Sequence, residues 1–395
     1  MALLIKGAAL YCPASIGPGS VLIEGAKIAG VYGIGEATPD VETVDLKGAA
    51  LGPGLVDVHT HGADRVELME GGDAVLRMAR FYARHGVTAF LPATVTASFE
   101  ATARAVESVR RAMDVSPERA AERAWGCLAT GDTAARVLGV HLEGPFVSPQ
   151  RLGAQSPEFC LAPTVEHVAR LLDIAGDVTR IVTLAPEEEG GIEAIRTLVG
   201  RGIIASVGHT VATTEQAEAA FAAGATQVTH MFNGMPPMHH RQPGVVGAAL
   251  TTRGVRVEVI ADGVHLAPAA IRLILAAKGV DEMILITDSI AATGCADGEY
   301  SLGPMQVYVR DGQARLASGS LAGSTLTMER AVVNVARWTD AGLAGAWQMA
   351  SLNPARQLGI DDCVGRLAPG YDADLTALDA SGRVVWTMVG GRVVS

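Results

Sequence analysis

Eight short apolar segments recur between residue 55 and about residue 290, and segments with helical spacing separate them. Strands that alternate with helices along a chain are typical of βα units on a parallel sheet. Eight such units suffice to close a (β/α)8 barrel, and an open α/β sheet is the alternative that the pattern leaves. The predicted strands are Leu55–His61, Val87–Thr94, Val137–Phe146, Ile181–Pro186, Ile203–His209, Gln227–Phe232, Val257–Ile260 and Met283–Thr287. The predicted helices are Ala74–Arg84, Glu100–Met113, Val165–Ile174, Ile192–Leu198, Glu215–Ala223, Ala269–Ala277 and, after the eighth strand, Leu326–Trp338.

Both ends of the chain instead show short β patterns punctuated by Gly and Pro, as small antiparallel strands do. These are Leu3–Ile5, Ser20–Ile23, Lys27–Val31, Val41–Asp45, Ala373–Leu378, Val384–Val389 and Gly391–Val394. We therefore expect a small β-sandwich domain made of residues 1–52 and 360–395, beside a (β/α)8 domain over residues 53–359. The length of 395 residues exceeds the usual size of a single core, which agrees with two domains.

The composition favours a soluble, cytoplasmic α/β enzyme, with 49% hydrophobic residues and modest charge. A net charge of -11 argues against nucleic acid or an anionic membrane as a partner. We find no basic segment followed by an apolar one at the N-terminus, and no apolar run of membrane-spanning length. The cysteines are odd in number and scattered, so we expect reduced thiols at Cys12, Cys127, Cys160, Cys295 and Cys363.

Polar side chains that can bind a metal stand at the ends of five predicted strands. His59 and His61 alternate with Val58 and Thr60, so the two imidazoles share one face of the first strand. The other strand ends carry Glu143, His209, His230 and Asp288. One such histidine alone is more often a hydrogen-bonded core residue, but barrel active sites form where all strand ends meet. Together these residues predict one or two divalent cations in a hydrolytic site.

The distribution of lysine excludes one type of metal bridge. No lysine occurs between Lys47 and Lys278, so a carbamylated strand lysine cannot join two metals in most of the predicted barrel. Hydantoinase, dihydroorotase and urease-like activities are therefore less favoured, and Glu143 is the residue that can supply a shared carboxylate. The ligand types suit Zn, which we put first, and also Fe, Mn or Co.

Several longer stretches resemble the amidohydrolase superfamily, and within it the deacetylases of N-acetylglucosamine 6-phosphate. The matching stretches are PGLVDVHTHG (53–62), HLEGPFVSPQRLGAQ (141–155), TLAPE (183–187), SVGHT (206–210), THMFNGMPPMHHRQPG (229–244), ADGVH (261–265), ITDS (286–289), DGEYSLG (297–303) and LAGSTLTMERAV (321–332). They cover nearly the whole chain, and the stretch from His230 to Gly244 is the most specific.

The resemblance implies roles for the strand-end residues. Glu143, His209 and His230 would hold the principal metal, and His59 with His61 would help to hold a second one. Asp288 would be the general base that activates the attacking water and then protonates the departing amine, as a carboxylate beside a metal can do.

The resemblance also implies a site for the substrate. Asn233 and Gly234 would bind its phosphate together with Arg241 of a neighbouring subunit, which implies a homodimer, and His265 would contact the substrate. Some members carry His where this chain has Gln155, which can hydrogen-bond a sugar hydroxyl or the carbonyl but cannot act as an acid. We expect His141 to support the site from behind, and His239 and His240 to serve loop packing or dimer contacts.

The expected function is therefore metal-dependent hydrolysis of the acetamide of N-acetyl-D-glucosamine 6-phosphate. The segments Gly62–Gly71 and Ser289–Gly294 depart from the family pattern, which leaves N-acetylgalactosamine 6-phosphate or another N-acyl amine as alternative substrates. A deaminase on the same barrel is another alternative. A non-catalytic scaffold is disfavoured because every metal ligand is present.

Overall fold

The computed structural model describes residues 2–113 and 134–394. In chain order its strands are β1 (Ala2–Tyr11), β2 (Ser15–Glu24), β3 (Lys27–Gly33), β4 (Glu42–Asp45), β5 (Ala50–Pro53), β6 (Leu55–Thr60), β7 (Gly62–Ala63), β8 (Val66–Glu67), β9 (Val87–Pro92), β10 (Arg136–Val137), β11 (Val140–Glu143), β12 (Thr179–Leu184), β13 (Ile204–Val207), β14 (Gln227–Val228), β15 (Arg256–Ile260), β16 (Met283–Ile286), β17 (Gly298–Leu302), β18 (Met305–Arg310), β19 (Gln313–Arg315), β20 (Leu375–Leu378), β21 (Val384–Val389) and β22 (Arg392–Val393).

The helices, again in chain order, are α1 (Ala74–Arg84), α2 (Phe99–Met113), α3 (Val165–Ala175), α4 (Gly191–Gly200), α5 (Thr214–Ala222), α6 (Gly244–Thr251), α7 (Pro268–Lys278), α8 (Met328–Trp338), α9 (Gly342–Ala350) and α10 (Leu352–Leu358). In α1, Val75, Met78, Ala79 and Tyr82 are buried, and their spacing places them on one face of the helix. Within the two described ranges, no helix combines the length and the apolar character that crossing a bilayer requires.

A curled parallel sheet forms the centre of this mixed α/β structure. Strands β11 to β16 pair in chain order, and β6 pairs with β9, which in turn pairs with β10. Two contacts join these groups: a parallel bridge links Ala93 to His141, and the Asp288 amide donates to the carbonyl of His59 (2.9 Å). The strands are largely buried, as expected when helices cover a parallel sheet. The carboxyl ends of the first and last parallel strands therefore lie side by side.

A second sheet combines the two ends of the chain. Its order is β22-β21-β20-β5-β1-β2-β3, with β4 pairing to β1, so C-terminal strands are hydrogen-bonded to N-terminal ones. The register pairs Leu375 with Pro53 and Leu378 with Ala50. Buried apolar residues such as Ile5, Leu51 and Met388 give this sheet a core of its own. The expectation that both termini build one small unit is consistent with this pairing.

Several predicted strands end earlier than the sequence pattern indicates, for a local reason. Positive φ angles at His209 (46°), His230 (27°) and Asp288 (49°) stop β13, β14 and β16 before these residues. The predicted strand Val137–Phe146 is split into β10 and β11, and Gly139 between them has φ of 131°. An apolar run predicts burial, but a left-handed residue cannot continue a strand.

The sequence pattern does not predict strands β5, β7 and β8, the antiparallel strands β17–β19, or helices α6, α9 and α10. Strand β17 is mostly exposed and β19 has only three residues, so both lack a strong apolar signal. Helix α6 is apolar around much of its surface, so the helical period is weak there. Cys12, Cys160, Cys295 and Cys363 are free thiols, as predicted. The prediction for Cys127 lies outside the described residues.

Candidate metal centre and active site

The predicted metal-binding side chains converge at the carboxyl ends of the parallel strands. His59 is the penultimate residue of β6, Glu143 ends β11, and His209 and His230 follow β13 and β14 by two residues. All four are buried. The backbone is left-handed at His209 and at His230, so the chain turns sharply after β13 and after β14. This conformation costs free energy in a residue that has a side chain. Such a cost is tolerated where the rest of the structure fixes the backbone, as at functional sites.

The carboxylate of Glu143 is the centre of the cluster. Its Oε1 lies 3.0 Å from His230 Nε2, 3.2 Å from His209 Nε2 and 3.5 Å from His59 Nε2. Its Oε2 lies 3.5 Å from His61 Nε2. One carboxylate thus faces four imidazoles, and the residues form two potential metal-binding groups that share it, His59–His61–Glu143 and Glu143–His209–His230. The structure therefore brings together every ligand that the sequence predicts.

Asp288 lies beside the cluster, on the side of the first strand. Its Oδ1 is 3.1 Å from His61 Nε2 and 3.7 Å from His59 Nε2. Its carbonyl accepts from the Ser324 amide (2.7 Å), and a Cβ on Gly323 would lie only 2.9 Å from that carbonyl oxygen. Close backbone packing thus fixes Asp288 in its left-handed conformation, with the carboxylate directed at the two histidines.

The hydrogen bonds on the far sides of the rings decide which nitrogen faces the cluster. Backbone carbonyls accept from the Nδ1 atoms of three histidines: Ala93 O for His61 (3.1 Å), Arg151 O for His209 (2.8 Å) and Asn233 O for His230 (3.1 Å). A carbonyl cannot donate, so Nδ1 carries a proton and Nε2 is the atom that faces the cluster, where its lone pair is available to a metal when the ring is neutral.

This arrangement fits a bound cation. His209 Nε2 and His230 Nε2 are 3.0 Å apart, and two lone pairs at that distance repel unless positive charge lies beside them. Among the described residues, His59 Nε2 is a buried atom that has no hydrogen-bond partner. Imidazole and carboxylate groups oriented in this way are the usual ligands of Zn and related divalent metals. The donor set therefore satisfies what a divalent metal requires.

The charges of the cluster keep both carboxylates ionised. Burial acts to raise the pKa of Glu143, but the positive charge that His59 and His209 carry when protonated holds it well below its usual range. Burial likewise opposes ionisation of Asp288, yet the hydrogen bond from His61 and the nearby imidazoles lower its pKa to about 2. Two carboxylates that stay negative in a buried site attract a cation and can accept a proton at neutral pH.

A cavity of about 410 Å³ opens above the cluster. Of the predicted site residues, it is lined by His61, Glu143, Gln155, His209, His230, Asn233, Gly234, His265 and Asp288. His59 lies beneath its floor, fully buried. Arg241 does not line the cavity; it is exposed, and its Nη1 lies 2.8 Å from His240 Nε2. A single chain thus assembles every predicted site residue except this arginine around one space.

Both polar atoms of the Gln155 side chain already make hydrogen bonds within the protein. Its Nε2 donates to Glu143 Oε2 (2.6 Å), and its Oε1 accepts from the amide of Thr96 (2.6 Å). Gln155 therefore orients the central carboxylate, in addition to lining the cavity. His265 is held by Asp262, whose Oδ2 lies 2.7 Å from its Nδ1.

The remaining histidines near the site have other partners. His141 is buried, with Val58 O 3.1 Å from its Nδ1 and Thr183 Oγ1 2.7 Å from its Nε2. Burial and the neighbouring His59 lower the pKa of His141 to about 4, so it stays neutral and structural. His239 and His240 lie on an exposed loop with their rings 4.3 Å apart.

A family model described as the amidohydrolase family matches residues 50–394. The chain belongs to the amidohydrolase family. It is 39% identical over 356 residues to an N-acetylgalactosamine-6-phosphate deacetylase of Escherichia coli O157:H7, with 90% of each protein covered. It is also 39% identical over 342 residues to an N-acetylglucosamine-6-phosphate deacetylase of Bacillus subtilis, with 86% of this chain and 83% of that protein covered.

A solved structure shows the same similarity in three dimensions. It is a mutant N-acetyl-D-glucosamine-6-phosphate deacetylase from Mycobacterium smegmatis in complex with N-acetyl-D-glucosamine-6-phosphate. The TM-score is 0.89 at 36% identity, over 100% of this chain and 99% of that one. The resemblance to the amidohydrolases is thus confirmed, and the chain has the fold of that family.

Sequence reasoning missed one carboxylate of this amidohydrolase site. Glu258 lies in the middle of β15, is fully buried, and places Oε2 3.0 Å from His59 Nδ1. The sequence does carry a signal for Glu258, because this residue interrupts the apolar run Val257–Ile260. A buried carboxylate is rarely left without a partner, so such a position indicates a contact with another polar group. Glu258 was overlooked because it does not stand at a strand end.

Proposed function

We propose that this amidohydrolase is a metal-dependent deacetylase that hydrolyses the acetamide of N-acetyl-D-glucosamine 6-phosphate in amino-sugar catabolism. The products are glucosamine 6-phosphate and acetate. The observation that carries the proposal is the cluster around Glu143, with four imidazole Nε2 atoms and Asp288 beside it, at the base of a sugar-sized cavity. The deacetylases named above support the reaction and the phosphorylated amino sugar as the substrate class.

Glu143, His209 and His230 would hold the principal metal, and His59 and His61 would hold a second one that shares Glu143. We propose zinc, and the same ligands also suit iron, manganese or cobalt. When bound, such a cation polarises the acetyl carbonyl and lowers the pKa of water towards neutrality. Gln155 keeps the Glu143 carboxylate in place through its 2.6 Å hydrogen bond.

Asp288 would move the proton in this reaction. As an ionised carboxylate it accepts a proton from the attacking water, and it then delivers that proton to the nitrogen as the C–N bond breaks. Its low pKa keeps it in the basic form before the attack and makes its protonated form a ready donor afterwards. The amide and water are thereby converted to an amine and acetate with no further reactant.

Binding of the sugar phosphate would involve Gln155, Asn233, Gly234 and His265, which line the cavity. Arg241 is exposed and lies apart from the cavity of its own chain, so we propose that it reaches the active site of a neighbouring subunit in a homodimer. Its planar guanidinium offers two parallel hydrogen bonds to phosphate oxygens.

The architecture belongs to the same proposal. We infer that β6, β9 and β11 to β16 close into a (β/α)8 barrel over residues 53–359; the Asp288–His59 backbone hydrogen bond supports closure. Residues 1–52 and 360–395 would form a β-sandwich, supported by the pairing of β20 with β5. The free thiols at the described cysteines are consistent with a cytoplasmic location.

N-acetylgalactosamine 6-phosphate is the second candidate substrate, because an enzyme named for it is as similar as those named for the gluco epimer. The test is acetate release by the zinc-loaded protein from both 6-phosphates and from unphosphorylated N-acetylglucosamine. We expect the highest kcat/KM with N-acetylglucosamine 6-phosphate and a large loss without the phosphate. A higher kcat/KM for the galacto epimer would select the second candidate, and no acetate from either phosphate would refute the proposal.

A further inference from the structure

Glu258 makes the hydrogen bond that determines the state of the His59 ring. Its Oε2 lies 3.0 Å from His59 Nδ1, and both side chains are fully buried. An ionised carboxylate can only accept, so the His59 proton resides on Nδ1. Nε2 is then the atom that faces Glu143 (3.5 Å) and Asp288 (3.7 Å), and its lone pair is available to a metal when the ring is neutral. The other three histidines of the cluster use backbone carbonyls for this purpose, and only His59 depends on a side chain.

The same carboxylate also holds the backbone of a second predicted ligand. Glu258 Oε2 accepts from the amide of His230 (3.1 Å), a residue with φ of 27°. Gln227 Nε2 donates to the other oxygen, Oε1 (2.6 Å), and so fixes the carboxylate on β15. Glu258 therefore contacts one residue from each of the two potential metal-binding groups.

We propose that Glu258 is a positioning residue that prepares His59 and His230 together to bind metal. This inference rests on the metal-dependent function proposed above. A carboxylate is required because a glutamine at this position can rotate and donate its amide to Nδ1. The ring proton would then move to Nε2, and an N–H would point at the place where a cation should bind. Partners of this kind typically contribute 10- to 100-fold in metal affinity.

The chain contains a matched control outside the site. His85 and Glu329 form the same kind of pair, with Nδ1 and Oε1 2.8 Å apart, and neither residue lines the cavity. Glu329→Gln likewise replaces a carboxylate beside a histidine Nδ1 with an amide. A general loss of stability would affect both variants, whereas a role in metal binding would affect only Glu258→Gln.

The experiment measures zinc per subunit and zinc affinity, by elemental analysis and by competition with a chromophoric chelator. We expect about 10- to 100-fold weaker zinc binding for Glu258→Gln and no change for Glu329→Gln. If Glu258→Gln fails to fold, Gln227→Met, which removes only the 2.6 Å hydrogen bond to Oε1, should still weaken zinc binding several-fold.

Two results would overturn the inference, and they differ in what they imply. Unchanged zinc binding in Glu258→Gln, or in Gln227→Met where that variant replaces it, would refute the role of Glu258 alone. Failure of the unmodified protein to bind any divalent metal would refute the proposed function and this inference with it. Because no substrate is used, a wrong assignment of the sugar would leave the measurement unaffected.

Discussion

Glu67 gives a pH-dependent stability that can be worked out from the structure. Its side chain is buried in the hairpin β7–β8 that follows His61, with a relative exposure of 4%. Both carboxylate oxygens lie 3.0 Å from the Gly303 amide nitrogen, which donates to the group. Burial is the main effect and raises the pKa of Glu67 from 4.5 to about 7, against the smaller lowering by that hydrogen bond.

The sign follows from comparing the folded and unfolded states. Between pH 4.5 and about 7 the folded protein keeps the Glu67 proton that the unfolded chain has lost. This contribution to stability is therefore complete below pH 4.5 and is lost as the pH rises through about 7. At about 1.4 kcal/mol per pKa unit, the loss amounts to about 3 kcal/mol. Glu67→Gln keeps an acceptor for Gly303 and removes the ionisation.

The assay is urea denaturation at pH 5 and pH 8, with Glu299→Gln, an exposed residue of β17, as the control. The Glu67→Gln variant should gain up to about 3 kcal/mol relative to the unmodified protein on going from pH 5 to pH 8. For Glu299→Gln, the difference in free energy of unfolding from the unmodified protein should be the same at pH 5 and pH 8. An equal effect of Glu67→Gln at pH 5 and pH 8 would show that burial does not keep this carboxyl protonated.

Three further predictions concern catalysis and binding. Asp288→Asn should retain bound metal but lose roughly 10²- to 10⁴-fold in kcat, since it cannot accept the proton; near-normal kcat would contradict its role. Gly234→Ala should cost about 1–2 kcal/mol in stability for its φ of 62° and lower kcat, because the new Cβ would lie 3.1 Å from His209 Nδ1. Unfolding midpoints and steady-state kinetics test this, and wild-type values would refute the close packing. Arg241→Ala should raise KM about 10- to 100-fold for the phosphorylated substrate only; an equal rise for N-acetylglucosamine would exclude phosphate binding.

Much of the fold follows from local sequence patterns. Helix α1 begins and ends where its apolar spacing predicts, and β21 matches its predicted bounds. The bounds of these elements follow from the spacing of the side chains that they bury, so the sequence alone is sufficient to predict them. The β17–β19 sheet could not be found in this way, because β17 is largely exposed, β19 has only three residues, and the pairing depends on backbone hydrogen bonds between separate segments.

The sequence by itself determined the chemical groups of the candidate site. The pair His59 and His61, the buried Glu143 and the absence of lysine between Lys47 and Lys278 restrict the site to imidazole and carboxylate ligands. That conclusion needs only residue types and their alternation, because these decide which atoms can coordinate a metal. The roles of Asn233, Gly234 and Arg241 came from resemblance to a family and remain predictions.

Only the tertiary structure decided how those groups are oriented. It shows that the Nδ1 atoms of His61 and His209 face carbonyls from distant segments, and that His59 depends on Glu258, 199 positions further along the chain. It also shows Gln155 holding Glu143. A tautomer is fixed by whatever lies on the far side of the ring, and that neighbour is set by how separate strands pack.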